Sequence, residues 1–167
     1  YYAELTKLYG KANYYSMDPF HETNDDEAID YSKAGRKVME AMKCVNPNAT
    51  WVIQDWTENP RPQMIKNMKN GDLLVLDLFS ECRPMFGIPS IWKREKGYEQ
   101  HDWLFCMLEN FGANVGLHGR MNQLLRNFYS TKQSSPNTQH LKGIGFTMEG
   151  SENNPVMFEL MSELPWR

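Results

Sequence analysis

The chain lacks the features that define several classes of protein. Its 167 residues include three cysteines, Cys44, Cys82 and Cys106, and no two of them form a CxxC pair. This spacing indicates neither a zinc site nor a disulfide scaffold, although one pair could still bridge. The longest largely apolar run has only the length of a strand and contains Asp77, so we expect no span of a membrane.

Clustered positive charge and the common nucleotide motifs are also missing. The net charge is −3 and no Lys/Arg cluster occurs, so we expect neither nucleic acid nor an anionic membrane as the main partner. The sequence contains no GxxxxGK[ST], no GxGxxG after a strand and no GxSxG. His21-Glu22 begins like a zincin motif, but no second histidine follows one helical turn later. These absences exclude several familiar kinds of site.

Five short apolar runs are present, and each ends in polar or aromatic residues. The runs are 14–17, 51–54, 73–76, 103–108 and 143–148. Hydrophobicity that is continuous rather than alternating indicates strands covered on both faces, hence a parallel sheet with helical crossovers. The carboxylates that follow these runs are Asp18, Glu22, Asp55, Asp77, Glu81, Glu109 and Glu149. Because ligands bind at the carboxyl ends of parallel strands, this order predicts a functional rim.

Segments with helical periodicity separate the runs. Apolar residues three and four apart between 28 and 45 form one stripe, and residues 24–26 before them offer N-terminal caps. Further helices are predicted at 61–68 and 116–129, and the chain opens with a helix tail that Gly10 ends. Asn154 and Pro155 predict the start of the last helix, as cap and first-turn proline. The alternation of strand and helix predicts an α/β chain.

Two topologies fit this order of elements. Extended to eight strands, the strand density gives roughly the 250 residues of a (β/α)8 barrel. We therefore expect residues 1–167 to be a partial catalytic barrel domain, about strands 4 to 8, from a larger chain, because the sequence opens without methionine and ends directly after a helix. The alternative is a complete, five-stranded, doubly wound domain, which suits the length better and explains the abrupt ends less well.

Carboxylates at strand ends among aromatic residues are typical of glycoside hydrolysis. The sequence resembles the α-N-acetylglucosaminidases, glycoside hydrolase family 89, in five motifs of matching order and spacing that cover essentially the whole chain. They are Asp18-Pro19-Phe20-His21-Glu22, Trp51-Val52-Ile53-Gln54-Asp55-Trp56, Leu73-Leu74-Val75-Leu76-Asp77-Leu78-Phe79-Ser80-Glu81, Cys106-Met107-Leu108-Glu109-Asn110-Phe111-Gly112 and Gly145-Phe146-Thr147-Met148-Glu149-Gly150. The resemblance is to the later part of the family's catalytic barrel.

The resemblance implies a retaining exo-hydrolase that removes terminal α-linked N-acetylglucosamine from glycans or glycosaminoglycans. In this family pattern Glu22 is the acid/base and Glu149 the nucleophile of a double displacement that uses no metal or organic cofactor. The positions that the resemblance assigns to substrate binding are His21, Trp56, Phe105, Asn110 and Phe111. His21 stands where some relatives have Asn, and Phe105 where some have Trp.

The resemblance also implies partners and a location. The earlier barrel strands and a C-terminal helical domain of the same protein are expected to complete the pocket for the carbohydrate. We expect an extracytoplasmic enzyme, secreted or periplasmic in a bacterium and lysosomal in an animal. The runner-up is a non-catalytic, doubly wound binding domain in which Asp18, Asp55 and Asp77 hold Mg²⁺.

Overall fold

A sheet of five parallel strands forms the centre of the structure, a computed structural model that describes residues 1–24, 26–86, 98–110, 119–134, 138–150 and 153–167. The strands are β1 (Tyr14–Ser16), β2 (Thr50–Asp55), β3 (Leu73–Asp77), β4 (Asp102–Met107) and β5 (Leu141–Phe146). They lie side by side in sequence order, and every neighbouring pair is parallel. A doubly wound sheet reverses its strand order at a switch point. The described sheet shows no reversal, so the doubly wound alternative is wrong.

One helix precedes β1, and further helices follow β1, β2, β4 and β5. They are α1 (Tyr2–Tyr9), α2 (Tyr31–Val45), α3 (Pro62–Ile65), α4 (Met121–Ser134) and α5 (Pro155–Glu163), with 3-10 turns at Thr138–His140 and Leu164–Trp166. Gly10 ends α1 with a φ of 83°, a conformation that glycine adopts without strain. The Asn154 side chain accepts a hydrogen bond from the Val156 N–H at 3.2 Å, and Pro155 opens α5. Both predicted helix boundaries are confirmed.

The predicted start of α2 was wrong. Asp30, not residues 24–26, is the N-cap, and its carboxylate accepts a hydrogen bond from the Lys33 N–H at 2.8 Å. The Asp26 carboxylate instead accepts from the Ala28 N–H at 2.9 Å, within a local turn. Aspartate binds nearby backbone in a turn as readily as it caps a helix, so the sequence alone did not distinguish the two.

The other predicted helix bounds also shifted. The helix expected over 61–68 is the single turn α3, and α4 continues beyond the predicted end at Tyr129 to Ser134. Residues 116–118 of that prediction lie outside the described residues. All three cysteines are free. Within the described ranges, no helix has the length and apolar character that crossing a bilayer requires.

The core lies on both faces of the central strands. β2 and β3 alternate between buried and half-buried residues, so neither face is open to solvent, as continuous hydrophobicity predicted. Trp51 and Trp103 are fully buried. The outer strands differ: Tyr14 of β1 is 64% exposed and Phe146 of β5 is 38% exposed. Each of these two strands pairs with a single neighbour in the described sheet, so the sheet has an open edge at each end.

Candidate functional site

The parallel arrangement brings the predicted rim residues to one edge of the sheet. Because all five strands run in the same direction, the segments that follow them leave from the same edge. Glu22 lies in the loop after β1, Trp56 directly after β2, and Glu149 three residues after the end of β5. The predicted gathering of these residues at one edge of the sheet is therefore confirmed, and the function of that edge stays a prediction.

Glu22 is held by a tryptophan from the neighbouring loop. The Trp56 Nε1–H donates a hydrogen bond to Glu22 Oε1 at 2.8 Å. Glu22 is exposed, and its φ of 54° lies in the left-handed region, as does the φ of 62° at Phe20. Such conformations are uncommon for residues other than glycine and concentrate at functional sites. The loop thus presents an accessible carboxylate in a strained, fixed geometry.

Arg61 fixes the backbone immediately after Glu22. Its Nη2 donates to the Thr23 carbonyl at 2.7 Å, its Nη1 donates to Glu58 Oε2 at 2.7 Å, and its guanidinium lies 4.7 Å from the Tyr31 ring centroid. The Arg61 residue is only 3% exposed. Sequence reasoning missed this residue, because nothing in the order of residues shows that the loop after β2 packs on the loop after β1.

Asp18 and His21 lie in the same loop as Glu22. Asp18 Oδ1 accepts a hydrogen bond from the Gln54 N–H at 2.6 Å, which joins the loop to β2. Burial raises the pKa of Asp18, while the hydrogen bond from Gln54 and the charge of His21 oppose the rise. The buried Nε2 of His21, a predicted substrate contact, has no hydrogen-bond partner within the described ranges.

Asn110 supports the turn that carries Glu149. Its Oδ1 accepts from the Glu149 N–H at 3.1 Å and from the Gly150 N–H at 2.9 Å, and its Nδ2 donates to Asn153 Oδ1 at 2.8 Å. Asn110 is 0% exposed, whereas Glu149 is exposed. The Asn110 amide thus positions the Glu149 backbone, and the substrate contact expected for Asn110 stays a prediction.

Phe105, for which a sugar contact is predicted, lies in the core. Phe105 is 0% exposed, and its ring meets Phe128 of α4 edge to face at 5.3 Å between centroids. Its side chain therefore packs in the core between the sheet and a helix. The Trp56 ring, by contrast, is half-buried and lies 6.4 Å from Phe79, so part of it faces solvent. Phe111, the last predicted contact, lies outside the described residues.

The acidic rim of the runner-up hypothesis does not form. Asp55 is 1% exposed and accepts a hydrogen bond from the Tyr98 hydroxyl. Asp77 is 0% exposed, and its oxygens accept from the Met85 and Phe86 N–H groups at 3.0 to 3.2 Å, while burial raises its pKa. Across the part of the chain that the structure describes, no three His, Cys, Asp or Glu side chains are grouped to hold a metal.

Glu81 is a further buried carboxyl beside this edge. Its Oε1 accepts from the Leu108 N–H at 3.1 Å and from the Glu109 N–H at 2.8 Å, where β4 ends. Burial raises the pKa of Glu81 to about 7, and the charge of Glu109 adds to that rise, while the backbone hydrogen bonds oppose it. The sequence marked Glu81 as a strand-end carboxylate but assigned it no role.

Known proteins match this arrangement over the whole chain. Residues 1–167 match the model of the α-N-acetylglucosaminidase (NAGLU) TIM-barrel domain. Human α-N-acetylglucosaminidase is 32% identical over 175 residues, which cover 98% of this chain and 22% of the human protein. The family 89 glycoside hydrolase from Clostridium perfringens in complex with PUGNAc is 30% identical with a TM-score of 0.82, covering 99% of this chain and 18% of that chain.

A second structure from the same bacterium contains a sugar substrate. The Clostridium perfringens variant with two Glu-to-Gln replacements, in complex with its substrate GlcNAc-α-1,4-galactose, is 28% identical with a TM-score of 0.81. It too is matched over 99% of this chain and 18% of its own. The chain thus spans about a fifth of the length of the relatives that it matches.

Proposed function

Because the chain belongs to the α-N-acetylglucosaminidase (NAGLU) TIM-barrel domain family, we propose that the protein is a retaining exo-acting glycoside hydrolase. It removes terminal α-linked N-acetylglucosamine from glycans or glycosaminoglycans. The observation that carries the proposal is the pair of held glutamates: Trp56 fixes the Glu22 carboxylate, and Asn110 fixes the Glu149 backbone. The relative whose two glutamates were replaced by glutamine, with its substrate bound, supports the same two-carboxylate chemistry.

The first step forms a covalent glycosyl-enzyme. The Glu149 carboxylate attacks the anomeric carbon, and the bond from that carbon to the leaving oxygen breaks. Glu22, protonated, gives its proton to the leaving oxygen. Retaining enzymes place their two carboxyl groups about 5 to 5.5 Å apart for this attack. The Trp56 N–H binds one oxygen of Glu22, which orients the other oxygen for proton transfer.

The second step returns both glutamates to their starting states. Glu22, now a carboxylate, takes a proton from water as the water oxygen attacks the anomeric carbon. The bond to Glu149 breaks, which restores its carboxylate and releases the sugar. Two inversions at one carbon leave the product with the α configuration of the substrate. Neither step requires a cofactor.

Residues 1–167 are, in this proposal, about strands 4 to 8 of the barrel. The remaining strands and a helical domain of the same protein complete the pocket, and the protein acts outside the cytoplasm. The exposed Tyr14 and Phe146 on the two outer strands support a sheet that continues on both sides. Expressed alone, residues 1–167 should aggregate or stay partly unfolded. A sharp cooperative melt with a monomeric elution profile would contradict the domain assignment.

The activity is tested with the full-length protein and an aryl α-N-acetylglucosaminide. We expect release of the aryl alcohol, with α-N-acetylglucosamine as the first product in a time-resolved NMR spectrum. The matching aryl β-N-acetylglucosaminide and aryl α-glucoside are the controls, and both should be hydrolysed far more slowly. An absence of hydrolysis would overturn the proposed function, and a β-configured first product would overturn the retaining mechanism.

A further inference from the structure

Glu81 lies in a turn that is anchored to two other elements. The Ser80 N–H donates to the Cys106 carbonyl of β4 at 3.0 Å. Asn127 Nδ2, on α4, donates to the carbonyls of Ser80 at 3.2 Å and Glu81 at 3.0 Å. The Glu81 backbone is therefore fixed from both a strand and a helix. A side chain on such a turn can serve as a rigid support for its neighbours.

The Glu81 carboxylate supports the end of β4. Through Oε1 it receives the N–H groups of both Leu108 and Glu109. Glu109 has a φ of 62°, a left-handed conformation that costs free energy for a residue other than glycine. Such a conformation persists only where surrounding contacts determine it. The two hydrogen bonds to Glu81 are contacts of that kind.

Asn110, which follows Glu109, holds the turn that carries Glu149. The Asn110 N–H closes a tight turn on the Leu108 carbonyl at 2.7 Å, and its side chain then receives the N–H groups of Glu149 and Gly150. Glu81 is thus linked to Glu149 by its hydrogen bonds to residues 108 and 109, by the peptide bond to Asn110, and by the hydrogen bonds of the Asn110 side chain. Any shift of the backbone at Glu109 would move the Asn110 amide and with it the Glu149 turn.

Stability does not account for a glutamate at this position. Glu81 is 1% exposed, and its Oε2 is buried with no hydrogen-bond partner in the described part of the chain. A buried carboxyl with one unsatisfied oxygen costs free energy. A residue that costs stability beside a candidate active site points to a role in the reaction.

We propose that Glu81 is a positioning residue for the hydrolysis reaction, which holds Glu109 and Asn110 so that Glu149 is aligned with the anomeric carbon. The inference rests on the proposed function of Glu149 as nucleophile. Glu81 acts through the backbone of residues 108–110, directly after β4, and does not touch the substrate. Its carboxylate oxygen is needed as a hydrogen-bond acceptor at a fixed reach.

Three variants of the full-length protein separate the effect of the Glu81 hydrogen-bond acceptor from the effect of side-chain size. Glu81→Gln keeps the chain length and one acceptor oxygen, so it should retain most of the activity. Glu81→Met keeps similar length but has no oxygen acceptor, and Glu81→Asp keeps the charge but shortens the reach. In both of these variants kcat for an aryl α-N-acetylglucosaminide should fall about 10- to 100-fold, because displacement of a reacting group by about 1 Å costs that much. KM should change less than about threefold, since no substrate contact is removed.

The outcomes are distinguishable. Melting curves show which variants are folded, and if Glu81→Met does not melt cooperatively, Glu81→Asp decides. The inference is overturned if the folded Met or Asp variant keeps the kcat of the Gln variant, or if the Gln variant loses as much kcat as the others. Glu159→Gln, an exposed glutamate of α5, is the control and should behave as wild type. An inactive wild-type protein would instead overturn the proposed function itself.

Discussion

Trp56 and Glu22 are joined by a 2.8 Å hydrogen bond from the indole Nε1–H to the carboxylate, although they are 34 residues apart and lie on different loops. Trp56 therefore makes a polar contact, whereas the sequence predicted only an aromatic pocket position. The bond ties the loop after β2 to the accessible carboxylate after β1. Trp56 can thus serve both as a surface for the sugar and as an orienting group for Glu22.

Removing the Trp56 side chain should lower catalysis more than stability. In the full-length protein, Trp56→Ala should reduce kcat/KM by about 1 to 3 kcal/mol of transition-state binding, because ring contact and hydrogen bond are both lost. Trp56→Phe keeps an aromatic ring without the donor and should lose less. Trp166→Ala, at an 88% exposed tryptophan, is the control for removal of an indole. A large drop in Tm with unchanged kinetics would make Trp56 a core residue only.

The two glutamates should respond differently to azide. Glu22→Ala lacks the proton donor but should still react through Glu149 with a dinitrophenyl glycoside, whose leaving group needs little protonation. The glycosyl-enzyme should accumulate, and azide should release it as the α-glycosyl azide after two inversions. In Glu149→Ala azide should displace the leaving group directly and give the β-azide. NMR of the products identifies the anomer, and the same anomer from both variants would refute the assigned roles.

Removing the Asn110 amide should affect both stability and activity. Asn110→Ala leaves the N–H groups of Glu149 and Gly150 without their acceptor, and an unsatisfied buried donor costs about 1 to 3 kcal/mol. We expect a lower Tm and a lower kcat, because the Glu149 turn is released. Asn110→Asp keeps the acceptor and should retain more kcat than the alanine variant. Equal kcat in the wild-type and alanine proteins would show that this contact does not align Glu149.

The raised pKa of Glu81 predicts that the stability difference between the wild-type protein and Glu81→Gln depends on pH. Burial raises the pKa of Glu81 from the ordinary 4.5 to about 7. Between those values the folded state holds a proton that the unfolded state has lost, so stability decreases as pH rises through this window. Glu81→Gln does not titrate, and the other carboxyls are common to both proteins. The free energy of unfolding of the Gln variant minus that of wild type should therefore grow by roughly 2 to 3 kcal/mol from pH 4.5 to pH 8.

Chemical denaturation at several pH values measures this difference. The exposed control Glu159→Gln should show a difference from wild type that does not change with pH. A constant difference for Glu81→Gln as well would mean that the Glu81 carboxyl ionises in the folded protein as it does in the unfolded chain.

The sequence by itself determined the strands, their parallel arrangement and the edge where the polar residues gather. Burial explains this success. Strands covered on both faces need continuous apolar runs, as at 73–76, and such a run can be recognised from the local sequence alone. The helix end at Gly10 and the helix start at Asn154 were predictable for a similar reason, because both depend on residues that are close in sequence. The family resemblance then gave Glu22 and Glu149 their proposed roles.

Only the tertiary structure decided which residues hold those two glutamates. The bond from Trp56 to Glu22, the bond from Arg61 to Thr23 and the bonds from the Glu149 turn to Asn110 all join segments that lie far apart in the chain. Phe105 illustrates the same limit, because its packing against Phe128 depends on the register of the sheet. Local sequence patterns determine which elements form. The contacts that align a site depend on how those elements pack, which no single segment contains.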